Sequence, residues 1–179
     1  MSKEFPFLQS FDPIRKLQYI NSDPSVMHCH HYSAIFTRLA IDFESHGGTK
    51  NMAEAMEEAV YLALRKVFIG EEIKAVHERI RMVEEYFRLT GLGEIKLHAD
   101  SATGGTATLS RSHIDEGWVK KYGNSKVPVN HVARGFLAGA FEVIHGKPLR
   151  SYDVEESGSM AMGKAKGEFV IKERGQAWR

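Results

Sequence analysis

The chain has 179 residues, with 24 basic and 23 acidic side chains, a formal net charge of +1, 42% hydrophobic and 26% charged residues. This is ordinary globular composition at a length that buries a core as one domain spanning 1–179, and the balanced charge gives a nucleic-acid partner no footing. The one cysteine, Cys29, excludes an intrachain disulfide and fits a reducing, cytoplasmic setting, and no run approaches the ~20 apolar residues of a membrane span.

The first residues, 1–27, carry Pro6, Pro13 and Pro24 between isolated apolar side chains, which predicts an extended arm leading into His28-Cys29-His30-His31. Ala34 to Phe43 reads as a helix with Ile35, Phe36, Leu39, Ala40 and Phe43 apolar. Asn51 with Glu54 three residues on has the form of a capping box, and Met52, Met56, Ala59, Val60, Ala63 and Val67 recur at helical spacing up to Gly70. Ile73, Val76, Ile80, Val83 and Phe87 then mark a second helix ending at Gly91, so the two are expected to form a helical hairpin or one broken helix.

From Gly93 the period changes to two. Ile95 and Leu97, then Ala107 and Leu109, predict a β-hairpin that turns at Gly104-Gly105. Ser112 with Asp115 caps a short helix that stops at Gly123, and Pro128 opens another, apolar at Val129, Val132, Phe136, Ala140 and Val143 and ended by Gly146 and Pro148. Three antiparallel strands are expected after that, around Tyr152 and Val154, Met160 and Met162, and Phe169 and Ile171. The fold class is therefore α+β, a central antiparallel sheet with flanking helices, including an N-terminal helical hairpin.

Two features could carry chemistry. In an extended segment His28 and His30 share one face about 7 Å apart, a spacing for two imidazole ligands of a divalent transition metal, with a third ligand from His98, His113 or His131. Alternatively, Cys29 is a nucleophile activated by a histidine, or the cluster is a hydrogen-bonded strand end with no chemistry. Gly135 and Gly139 make a smooth stripe beside Ala138 that allows a helix, a sheet or a ligand to approach closely. No P-loop, nucleophile elbow, zinc-protease or dinucleotide motif is present in the sequence.

Ser112-His113 through Gly117-Trp118, Pro128-Val129, Arg134 to Ala140, Glu155-Glu156, Ser159 to Gly163 and Glu168-Phe169 together resemble the 4-vinyl reductase domain family, over residues 112–171. Domains that look like this occur alone, in bacteriochlorophyll-related proteins and as sensor parts of regulators of aromatic catabolism. The resemblance implies a fold related to a vesicle-tethering subunit, commonly a homodimer, with a pocket for a small apolar ligand. It also implies a cysteine-bound zinc, but the matching positions here are Ser159 and Gly167, neither a zinc ligand. The leading expectation is a small-molecule binding domain acting as sensor, carrier or accessory factor, with Trp118, Phe136, Phe141 and Met160 near the pocket and His113 or His131 orienting the ligand. The competing expectation is a metal-dependent or Cys/His hydrolase built on His28, Cys29, His30 and His31.

Overall fold

A computed structural model describes residues 7–26 and 28–175, except the side chain of Asp100. The chain is α+β, with two antiparallel sheets and five helices among these residues.

The expected N-terminal arm is instead a small meander of β1 (Gln9–Asp12), β2 (Leu17–Ile20) and β3 (Asp23–Ser25); residues 1–6 and Met27 lie outside the described residues. Turn chemistry explains it. The Asp12 carboxylate accepts from Ile14 N at 2.8 Å and Arg15 N at 2.9 Å, and Asn21 and Ser22 take positive φ in the two-residue turn between β2 and β3. Pro24 is tolerated because β3 is an edge strand.

Helix α1 (His30–Asp42) starts four residues before the expected Ala34, with Cys29 at the N-cap. Helix α2 (Gly48–Gly70) likewise starts early, after Gly47 in the left-handed region, so Asn51 and Glu54 lie inside the helix and form no capping box. Helix α3 (Val76–Leu89) follows, but α2 lies along α5 (His131–His145) rather than folding back on α3, which packs on β4. The expected helical hairpin is thus replaced by two helices with different partners. Gly135 and Gly139 are the reason, because a Cβ on them would stand 2.0 Å from Ala53 O and 2.4 Å from Glu57 O. Of the readings of that glycine stripe, close helix packing is the one realised.

The main sheet has the order β4-β5-β7-β6, from β4 (Gly93–Ser101), β5 (Gly104–Ser112), β6 (Tyr152–Gly158) and β7 (Gly167–Glu173). Ile95, Leu97, Ala107, Leu109, Phe169, Ile171, Tyr152 and Val154 point to its buried face, which α5 covers. Helix α5 is therefore enclosed between the sheet and α2. Gly104 and Gly105 do not make the hairpin turn, which falls at Ala102-Thr103; they open β5, where a Cβ on Gly105 would meet His98 O at 2.0 Å and the Phe141 ring at 3.1 Å. Helix α4 (His113–Tyr122) is capped as expected, with Ser112 accepting from Asp115 N, and packs on α1. Helix α5 starts after Asn130, which accepts from Ala133 N, rather than at Pro128. Met160–Met162 is a 3₁₀ turn instead of a strand, leaving β6 and β7 to pair directly.

Candidate functional site

The meander, the end of α3 and the start of α4 border a cleft of 370 Å³. Its apolar wall is Ile20, Val26, Leu89 and Leu92, and the rest of its lining is polar apart from Gly91: Gln9, Gln18, Ser25, His28, Ser33, Thr90 and His113. Gly91, in the left-handed conformation after α3, lets the chain turn from helix to strand at this wall.

His113 is the first residue of α4, and its ring lies 4.3 Å from that of His30, the first residue of α1. Packing α1 on α4 thus joins the histidine cluster to the region that resembles the 4-vinyl reductase domain. Burial, then the neighbouring His30, holds His113 below the usual histidine range, so it is a neutral imidazole near pH 7. The backbone of Cys29 and of His28 lies close enough to the ring to oppose that shift in part, while its Nε2 is buried and makes no hydrogen bond of ordinary geometry. A neutral ring with an unused nitrogen can donate to or accept from a ligand hydroxyl.

His28 stacks on Tyr32 at 4.7 Å, and Cys29 is exposed. His31 is exposed on the first turn of α1. Among the described residues no group of three or more His, Cys, Asp or Glu side chains is gathered as a metal ion requires. His98 is exposed on β4, and His131 belongs to a different buried cluster.

That second cluster lies behind α4. Asn130 Nδ2 donates to Asp115 Oδ2 at 2.6 Å and to Ser112 Oγ at 2.9 Å, and Ser112 Oγ also bonds Asp115. Asp115 Oδ1 accepts from Ala161 N at 3.2 Å and Ser159 Oγ at 3.4 Å, while Asn130 N donates to Glu156 at 3.1 Å. Burial pushes Glu156 up to about 7, and burial followed by Arg134 depresses His131 to about 4. Zinc coordination does not fit here. The Ser159 hydroxyl is committed to Asp115, and a Cβ at Gly167 would stand 3.3 Å from Leu109 and Phe169. This network ties α4, α5 and the 3₁₀ turn together; Asp115 was legible in the sequence only as part of a helix start, and Asn130 was passed over because the helix was expected to open at Pro128.

The remaining expected pocket residues are dispersed. Trp118 packs with Val129 and Ala161, and Met160 stands beside Ala161 in the half-buried 3₁₀ turn. Phe136 meets Phe87 edge-on at 4.8 Å, and Phe141 meets Tyr152 at 5.7 Å, both in the main core. Of the expected ligand-binding set, only His113 lines the cleft. Its apolar wall was missed in the sequence because Ile20 falls in the expected extended arm and Leu92 between the helix end at Gly91 and the strand from Gly93, where no pattern gives either a partner.

No family model and no curated protein matches the chain. Among solved structures, the phenol-responsive sensory domain of the transcription activator PoxR, determined with phenol, is similar at a TM-score of 0.78 and 11% identity, over 94% of this chain and 86% of that one. A vinyl-4-reductase family protein from Methanocaldococcus jannaschii is similar at a TM-score of 0.56 and 21% identity, over 83% of each chain. The likeness is one of fold.

Proposed function

We propose that this domain binds a small, largely apolar molecule with one hydrogen-bonding group, in the cleft lined by Ile20, Val26, Leu89, Leu92 and His113, and serves as a sensor, carrier or accessory domain. The fold shared with a phenol-responsive sensory domain over 94% of the chain carries this reading. The cleft supports it locally: an aliphatic wall faced by polar side chains that can bond a single polar group, among them a neutral imidazole whose Nε2 makes no hydrogen bond. The aliphatic wall would hold the body of the ligand and His113 would orient its hydroxyl.

The test is titration of the protein with phenol and with toluene, followed by NMR. Phenol shifts the resonances of Leu89, Leu92 and His113, and His113→Ala weakens phenol binding by about 10-fold, as expected for a lost buried hydrogen bond. Toluene, which has no hydroxyl, binds more weakly and is insensitive to that substitution. Absence of shifts at the cleft with both compounds at millimolar concentration ends the proposal.

The hydrolase reading has one observation in its favour, the exposed Cys29 beside the His30 and His113 pair. It predicts metal in the purified protein, or ester hydrolysis that Cys29→Ala abolishes. Lack of both, measured by elemental analysis and a chromogenic ester, removes it.

A further inference from the structure

Three cations meet where α5 ends. Arg65 of α2, Arg79 of α3 and Lys147, just beyond α5, line a cavity of 240 Å³. The helical period of α2 sets Tyr61, Arg65, Phe68 and Ile69 on the face that turns toward it, and Val143 and Gly146 close it from the end of α5.

The charge on this wall is not balanced from within. Lys147 is matched by Glu173 at 2.7 Å. Arg79 is held instead by carbonyls: its Nε donates to Ile73 O at 2.9 Å, and its Nη1 to Val143 O at 3.2 Å and Ile144 O at 2.8 Å. Such bonds fix the guanidinium in place without cancelling its charge. Arg65 lies over the Tyr61 ring at 5.8 Å, and neither arginine forms an ion pair with a carboxylate among the described residues. The one carboxyl in the lining, Glu142, is fully buried, and burial, then the neighbouring Glu57, pushes it up to about 8. It adds no negative charge near pH 7, and the wall stays positive.

The other part of the wall is apolar. Phe68 and Val143 are buried at its base, and the Arg79 guanidinium stands 5.3 Å from the centre of the Phe68 ring. At ~30 Å³ for each water-sized group, the cavity takes a molecule of about eight non-hydrogen atoms. A bare inorganic ion would leave the apolar base unfilled, and a hydrocarbon would desolvate the arginines without pairing them. An anion with an apolar body meets both demands.

We propose that this cavity is a second binding site, for a small organic carboxylate held between Arg65 and Arg79 with its hydrocarbon part against Phe68 and Val143. It shares no lining residue with the cleft, and Arg79 lies ten residues before Leu89 along α3, about 15 Å by helical rise. The site therefore does not depend on what the cleft binds.

Calorimetric titration of the full chain with sodium benzoate at constant ionic strength measures the binding, and NMR places it. Benzoate is expected to saturate below about 10 mM with shifts at Phe68, Ile69 and Gly146, while benzyl alcohol, its uncharged counterpart, and inorganic phosphate, which has no apolar body, each bind at least about 10-fold more weakly. Arg65→Gln, at an exposed position, weakens benzoate by about 5-fold, and Arg65→Lys, which keeps the charge, recovers most of that loss. Ile69→Glu, also exposed, sets a negative charge at the mouth and weakens it by about 10-fold or more. Lys126→Gln removes an equal charge before the other end of α5 and leaves the affinity unchanged. No saturation with benzoate, shifts confined to Leu89, Leu92 and His113 of the cleft, phosphate or benzyl alcohol binding as tightly as benzoate, or an affinity unmoved by Arg65→Gln and Ile69→Glu overturns the proposal.

Discussion

Glu57 of α2 and Glu142 of α5 share one buried site, and Arg150 pairs directly with Glu57: its Nη1 stands 2.7 Å from Glu57 Oε2, and its backbone N donates to the other oxygen at 2.9 Å. Glu142 Oε1 accepts from Ser151 N at 2.8 Å, and its buried Oε2 makes no hydrogen bond of ordinary geometry among the described residues. Burial, then the neighbouring Glu57, pushes Glu142 up to about 8, so it holds a proton at neutral pH.

The sign of the resulting pH dependence follows. A carboxyl raised by folding contributes stability that is complete below its unfolded value and is lost as pH rises through its folded value. Glu142 at about 8 and Glu156 at about 7 both act this way. His131, depressed to about 4, acts oppositely, but its contribution is complete above about 6.5. Unfolding in urea therefore becomes easier from about pH 6.5 to 8.5, and Glu142→Gln removes on the order of 1–2 kcal/mol of that loss. A wild-type profile flat over this range contradicts the assignment.

Gly135→Ala and Gly139→Ala test the α2–α5 contact. Alanine gains about 1 kcal/mol of helix propensity at an exposed site, but here the new methyl meets backbone oxygens of α2 at 2.0 and 2.4 Å, which cannot yield without moving the helix. Each substitution is expected to cost about 2–4 kcal/mol in equilibrium unfolding, comparable to overpacking in a core. Neutral effects would mean that α2 slides freely on α5.

Asn130→Ala removes the cap of α5 and the donor that joins Asp115 to Ser112. The loss of a cap and of hydrogen bonds to a buried carboxylate is expected to total about 3 kcal/mol, read from the urea midpoint. Asn130→Asp, which keeps the capping oxygen but adds a negative charge beside Asp115, is expected to be worse near neutral pH and to recover partly in acid.

Cys29 caps α1 with extended backbone geometry but makes no side-chain capping bond, and the first turn has no acidic residue. Cys29→Ser supplies an acceptor and should raise stability by about 0.5–1 kcal/mol. Its thiol is exposed, so a disulfide reagent should label the folded protein as fast as the unfolded one.

Much of this architecture is written in local pattern. The period-two runs place Ile95, Leu97, Ala107 and Leu109 on a buried face, the period of α2 runs to Gly70, and Ser112 with Asp115 starts α4, because backbone geometry within a few residues decides each of these. Local pattern records that a face is apolar, without saying what covers it. The face of α1 is legible in Ile35, Phe36, Leu39 and Phe43, yet the fold leaves it outside, because the small side of the helix is the one that fits against α4. The meeting of His30 with His113 and the cleft between the meander and α3 likewise arise from contacts between residues tens of positions apart. Such contacts depend on shape complementarity between whole elements, so only the tertiary structure decided them.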